Sequence, residues 1–234
     1  MTLFAEKVIS FNKNLNFSGI LPSGISIMNP FHENSEVFLL IAEFYRKYYS
    51  DTRPRHMILG INPGRFGAGV TGIPFTDTVR LKEKCGLEIH GFKTYETSSV
   101  FIYEMIERYG GPEKFYSDFF ISAVSPLGFT KTGINGKEKN FNYYDSKEMI
   151  HAISSFVIES ILKQLEFGIN RDICFCLGTG KNMKFLSDLN SKYSFFERIE
   201  PLEHPRFIMQ YRSRQKDRYI DEYIKKLSSV KAID

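Results

Sequence analysis

The sequence predicts a three-layer α/β/α sandwich around a central, mainly parallel four-stranded sheet. Four strand candidates recur along the 234 residues, and the first, with Met57, Ile58, Leu59 and Ile61, is the short, nearly continuous apolar run of a strand buried on both faces. The segments between them are long enough for helical crossovers. Just beyond each candidate stands a polar or turn residue, so such groups converge on one edge of the sheet, the edge at which open α/β sheets bind ligands.

In chain order, Val37, Leu40, Ile41, Phe44 and Tyr48 recur at helical spacing and predict a helix over Glu36 to Tyr49. The strands follow at His56 to Ile61, Phe119 to Val124, Asp172 to Leu177 and Phe195 to Leu202. Ser98 to Tyr109 and Ser146 to Phe167 have helical apolar periodicity, and Asn182 to Leu189 reads as a shorter helix. Asp217 to Leu227 closes the chain as an amphipathic helix with Ile220, Tyr223, Ile224 and Leu227 inward. The first 35 residues carry no assignment.

No Pro/Ser-rich linker, repeat or low-complexity block divides the chain, so residues 1–234 are read as a single domain, with a monomer as the default state. No apolar run approaches the roughly 20 residues that span a bilayer. The N-terminus lacks the order of a signal peptide, which points to a cytoplasmic protein, nucleoid-associated in a bacterium. Cys85, Cys174 and Cys176 are an odd number without metal-ligand spacing and read as buried thiols. His32, His56, His90 and His151 have no metal-binding spacing either, so neither metal nor other cofactor is expected.

The most informative stretch is Gly60-Ile61-Asn62-Pro63-Gly64-Arg65-Phe66-Gly67-Ala68-Gly69-Val70-Thr71-Gly72-Ile73-Pro74-Phe75. Met57, Ile58, Leu59 and Ile61 form a buried strand that Pro63 and Gly64 stop, which sets Asn62 at a strand's carboxyl end. The glycines let backbone approach a flat ligand closely. By itself an Asn before Pro-Gly is a turn former. The other strand ends carry Ser125-Pro126, Gly178-Thr179-Gly180 and His204-Pro205.

Gly60, Asn62, Pro63, Gly64, Phe66, Gly67, Thr71, Gly72, Pro74 and Phe75, in ungapped register, resemble the first motif of the uracil-DNA glycosylase superfamily, closest to its single-strand-selective monofunctional branch. Ile61 and Ile73 are conservative departures, whereas Arg65 replaces a proline and adds a cation. The second motif of that superfamily is a His-Pro pair opening a loop that enters DNA, and Glu203-His204-Pro205-Arg206-Phe207-Ile208-Met209-Gln210-Tyr211-Arg212 is similar to it, more loosely. Phe207, Ile208 and Met209 suit a wedge between bases. Arg206, Arg212, Arg214, Lys216 and Arg218, against Asp217 alone, suit phosphate contacts, as does Arg65.

The resemblance implies a monofunctional DNA-repair glycosylase that hydrolyses the N-glycosidic bond of uracil, or of a related deaminated or damaged base, flipped out of single- or double-stranded DNA. Asn62 would orient the attacking water, and neutral His204 would donate a hydrogen bond to the base carbonyl as negative charge builds there. Phe75 would stack on the base while Gly60, Ile61, Pro63, Gly64, Phe66 and Gly67 shape its pocket. The branch reads the pyrimidine edge with an asparagine, but Ala123 occupies the corresponding position here. Ser122 and Ser125 flank it, and Asn140 or Asn142 from the next loop are candidate replacements.

Other functions fit less well. Gly178-Thr179-Gly180-Lys181 hints at nucleotide binding, but a P-loop needs Gly at Phe175 and a dinucleotide fingerprint needs Gly at Met183. A catalytically silent nucleic-acid-binding protein of the same fold is the alternative, kept open by the missing reader.

Overall fold

A computed structural model describes residues 2–133 and 135–230. The chain begins with helix α1 (Phe4–Asn14), which turns Phe4, Ala5, Val8, Ile9 and Asn12 inward. Strand β1 (Ile25–Met28) and a single turn, α2 (Pro30–Glu33), lead into α3 (Ser35–Tyr48). The Asn34 side chain caps α3 by accepting hydrogen bonds from the Glu36 and Val37 N–H groups.

Strand β2 (Arg55–Gly60) is buried at every residue, as its apolar run predicts. After it come the turn α4 (Ala68–Thr71), then α5 (Thr78–Cys85), α6 (Thr97–Tyr109) and α7 (Pro112–Asp118), and the buried strand β3 (Phe119–Ala123). A hairpin of β4 (Gly128–Thr132) and β5 (Glu138–Phe141) precedes the long α8 (Lys147–Leu165), capped by Ser146. The chain then runs through β6 (Ile169–Leu177), α9 (Lys181–Tyr193), β7 (Arg198–Leu202), α10 (Pro205–Tyr211), a 3₁₀ turn (Ser213–Gln215) and α11 (Lys216–Leu227).

The four predicted strands form one sheet in the order β3-β2-β6-β7, parallel throughout. Gly60 pairs with Ala123 and Leu177 with Leu202, so the carboxyl ends line up and the residues following them share one edge. Phe120 on β3 meets Phe4 of α1, Tyr45 of α3, Tyr49 just after that helix, and Phe167 on one face. Phe119, next to it and therefore on the opposite face, meets Tyr109 of α6 and Phe115 of α7. Tyr223 of α11 packs on Phe101 of α6. Helices thus flank the sheet on both faces.

A second sheet was not expected. Strands β1, β4 and β5 form an antiparallel sheet in the order β1-β4-β5, with Phe129 opposite Phe141 and Thr130 opposite Asn140. A Cβ on Gly128 would lie 2.6 Å from the Pro63 carbonyl oxygen, so this sheet presses directly on the loop after β2. The bare glycine is what permits the approach. The segment around 204–211 also differs from the expected loop: His204 and Pro205 open α10, with Pro at a position where a helix needs no N–H.

Candidate active site

The loop between β2 and α5 is fixed from within. The Thr71 hydroxyl donates to the Thr76 carbonyl (2.6 Å) and accepts from the Ile73 N–H (3.2 Å), which ties the turn at Gly72, whose φ is +67°. These ties hold Phe75 at φ +52°, a left-handed conformation costly for a residue with a side chain. The Phe75 ring lies against Gly60, where a Cβ would come within 2.9 Å of it. The strand ends in glycine because the ring occupies the side-chain position.

Asn62 sits where the sheet edge meets this loop, with its amide orientation fixed. Oδ1 accepts from the Tyr143 N–H (3.2 Å), and Nδ2 donates to the Pro63 and Phe141 carbonyls (3.3 Å each). One Oδ1 lone pair remains. His204 stands across the cavity, 5.9 Å from the Phe75 ring between centroids. Its Nδ1 accepts the Arg206 N–H (3.1 Å), capping α10, so the neutral ring carries its proton on Nε2. Burial, reinforced by the Arg206 cation, pushes its pKa down to about 4. His204 is therefore a neutral donor at physiological pH.

Asn62, Phe75 and His204 line one cavity of about 520 Å³, with Gly60, Ile61, Pro63 and Gly64 on its wall. Ser122, Ala123, Asn140, Asn142, Arg206 and Phe207 also line it. The remaining expected residues fall elsewhere. Ser125 is fully buried and donates to the Leu127 carbonyl (2.9 Å), turning it into a strut of the loop after β3. Phe66 is exposed outside the cavity, with the Arg65 guanidinium stacked 4.5 Å from its ring centroid and bonded to the Glu138 carbonyl. Gly67 lies outside the lining, but a Cβ there would collide with the Glu96 carboxylate.

Helix formation after His204 also revises the expected wedge. Ile208 is fully buried and Met209 packs on the core, because one face of α10 must cover α6 and the sheet. Arg206, Phe207, Gln210 and Tyr211 form the face toward the cavity mouth. Arg212 and Arg214 are exposed beyond it, Arg212 within 5.9 Å of the Phe207 ring. Lys216 and Arg218 are committed to Glu104 and Glu222. Neither asparagine proposed to replace the base reader is free of structural duty: Asn140 Oδ1 accepts the Arg65 N–H (3.0 Å), and Asn142 binds Asp145 through its own N–H (2.8 Å).

Sequence reasoning missed several lining residues. Glu96 reaches Gly64 and Gly67 from the start of α6; burial, with Asp77 nearby and Arg206 opposing, pushes its carboxyl pKa up to about 7. Lys181 and Tyr144 stand at the mouth, and Asn182 donates to the Leu177 carbonyl (3.0 Å) while accepting from Tyr143 (2.6 Å). Gln164 of α8 and Asn12 of α1 reach the floor. The one local signal was the Gly178-Thr179-Gly180-Lys181 turn. Among the described residues no cluster of His, Cys, Asp or Glu could hold a metal ion, and no helix is long and apolar enough to cross a membrane.

A cavity on the carboxyl edge of a parallel sheet is thus walled by an aromatic ring, a fixed amide and a neutral imidazole, at the place where open α/β folds hold small ligands. The chain belongs to the uracil DNA glycosylase superfamily, whose family model matches residues 46–228. It is a monofunctional DNA glycosylase, a hydrolase of N-glycosyl bonds. Among solved structures it is similar to SMUG2 of Pedobacter heparinus, at 56% identity over 98% of each chain with a TM-score of 0.96. No curated protein sequence matches the chain.

Proposed function

We propose that this glycosylase excises uracil, or a related deaminated base, with Asn62 and His204 as its catalytic residues and without a metal. The observation that supports this best is a neutral His204, with Nδ1 occupied and Nε2–H available, sharing the cavity with the immobilised Asn62 amide. The C1′–N bond breaks with its electron pair going to the base. His204 Nε2–H donates to the base carbonyl oxygen as that charge builds, and an imidazole held neutral does so without adding a cation. The free Oδ1 lone pair of Asn62 orients the water that bonds to C1′, and the proton this water then sheds passes through solvent to neutralise the base anion. An amide is too weak a base to drive attack, so the reaction depends on a leaving group that departs early.

Phe75 stacks on the extruded base, and N–H groups of the glycine-rich loop face its other carbonyl. Arg206 and Lys181 hold phosphates at the mouth, where Phe207 and Tyr211 touch unstacked bases. In this reading residues 1–234 act as one monomeric domain on cytoplasmic DNA. The test is release of free base from single-stranded and duplex oligonucleotides carrying uracil, hypoxanthine, xanthine or hydroxymethyluracil, with chelator present and sedimentation run in parallel. Uracil release that survives chelation and collapses in Asn62→Ala and His204→Ala is the expected result. Release unaffected by both substitutions overturns the residue assignment, and DNA binding without release from any lesion leaves binding as the sole activity.

A further inference from the structure

The cavity has amide side chains on many sides, and most are engaged. Asn62 is held by the Tyr143 N–H, Asn140 Oδ1 by the Arg65 N–H, and Asn182 by Leu177 and Tyr143, while the Asn142 amide has only a long 3.5 Å contact with Asp145. On the floor, the Ser122 hydroxyl donates to Gln164 Oε1 (2.5 Å), and Gln164 Nε2 donates to the Ser160 carbonyl (3.1 Å). Ala123 has no polar group to offer.

Among the buried amides of the described lining, Asn12 is the exception. It lines this cavity from α1 at 4% exposure, and its Nδ2, itself closed off in the cavity wall, has no partner in good hydrogen-bond geometry among the described residues. Burial raises the pKa of the Tyr45 hydroxyl, which is close enough for the Asn12 amide to lower it, but the pair falls outside hydrogen-bond geometry, so Tyr45 is a neighbour that a small shift could pair; Phe11, Phe31 and Phe120 line the same cavity. Leaving an amide donor dry and unpaired is costly, and leucine or valine would pack this helix face against α3 as well. Such a group persists where a ligand completes it. A carboxamide presents a donor and an acceptor side by side, the complement of a base edge that pairs a carbonyl oxygen with a ring N–H. Uracil has this edge, as do the six-membered rings of hypoxanthine and xanthine.

We propose that Asn12 of α1 reads the hydrogen-bonding edge of the flipped base, Nδ2 donating to the base carbonyl and Oδ1 accepting the adjacent ring N–H, with the Tyr45 hydroxyl flanking it. This rests on the glycosylase reading of the cavity, and it transfers base selection from the strand end at Ala123 to a helix near the N-terminus. Asn12 is a specificity residue; Asn62 and His204 retain the chemistry.

The experiment compares wild type with Asn12→Leu and Asn12→Ser on oligonucleotides carrying uracil or N3-methyluracil, in which the ring donor is blocked. Wild type should favour uracil by at least about 10-fold, the discrimination of one good hydrogen-bonding contact. Both variants should lose that preference, chiefly through uracil. Asn12→Leu should keep or raise Tm, because it removes an unpaired buried amide. A uracil preference retained in both variants overturns the proposal, whatever happens to absolute rates. Should Asn12→Leu misfold, Asn12→Ser carries the comparison. Asn62→Ala separates the two readings: it should slow both substrates alike, and if it does not, the account of the chemistry fails while that of Asn12 stands.

Discussion

The loop after β2 and helix α10 face each other across the cavity and are built on opposite principles. The loop is constrained by its own backbone: Gly60 makes room for Phe75, the Thr71 hydroxyl donates to the Thr76 carbonyl and accepts from the Ile73 N–H, and Gly72 supplies a left-handed turn. Helix α10 is constrained by burial, with Pro205 and Ile208 inward and Arg206 and Phe207 outward. On the loop almost any change alters the site. On the helix, the effect of a change depends on the face it strikes.

The largest effect should come where the two segments act on the same base. His204→Ala and Asn62→Ala should each lower single-turnover base release by about 10²–10³-fold, as loss of one positioned polar group typically does. In Glu96→Gln, which removes the cavity carboxyl whose pKa is raised to about 7, the chemistry should be flat from pH 8 down to 5, because burial pushes His204 down to about 4. A loss of rate centred near pH 6.5 would show an imidazole that charges normally and would break the argument for a neutral donor.

Adjacent residues of α10 test the two-faced helix. Ile208→Ala should destabilise the protein by about 2–4 kcal/mol in denaturant melts. Phe207→Ala should leave stability within about 0.5 kcal/mol and weaken single-stranded DNA binding severalfold. Similar Tm losses in both would collapse the distinction. On the loop, Gly60→Ala must displace the Phe75 ring, so stability should fall by about 1–3 kcal/mol and activity with it.

Glu96 joins the two segments electrostatically. Its carboxyl, pushed up from 4.5 to about 7, favours the neutral form in the folded state. The stability it contributes is complete below pH 4.5 and lost as pH rises through 7. Glu96→Gln should match wild type at pH 4 and exceed it at pH 8 by about 1–2 kcal/mol, allowing for solvent at the mouth. It should also remove any weakening of DNA binding above pH 7. The smallest effect is Arg206→Ala, which should lower the slope of log affinity against log salt by about 1 if Arg206 binds one phosphate.

The same contrast explains what was legible in the sequence. The parallel strands were visible because burial on both faces demands uninterrupted runs such as Met57-Ile58-Leu59 and Cys174-Phe175-Cys176. The antiparallel sheet was not, since Gly128-Phe129-Thr130-Lys131-Thr132 and Glu138-Lys139-Asn140-Phe141 are polar and partly exposed. Helix α1 has an amphipathic pattern, but its N-cap, Leu3, makes no side-chain cap, and the inward Asn12 interrupts its apolar stripe. The loop residues were legible because tight geometry dictates their identities. Glu96, Gln164 and Asn12 reach the cavity only through tertiary packing, and no local spacing marks them.

The cavity draws its wall from Phe11 at one extreme and Tyr211 at the other, two hundred positions apart. A nascent chain therefore has neither floor nor roof until β7 and α10 have emerged and docked. Excision cannot begin in any half-made product, and a nick that frees either α1 or α10 should silence the enzyme while most of the sheet stays intact. Activity here is a report that everything from α1 to α10 has folded.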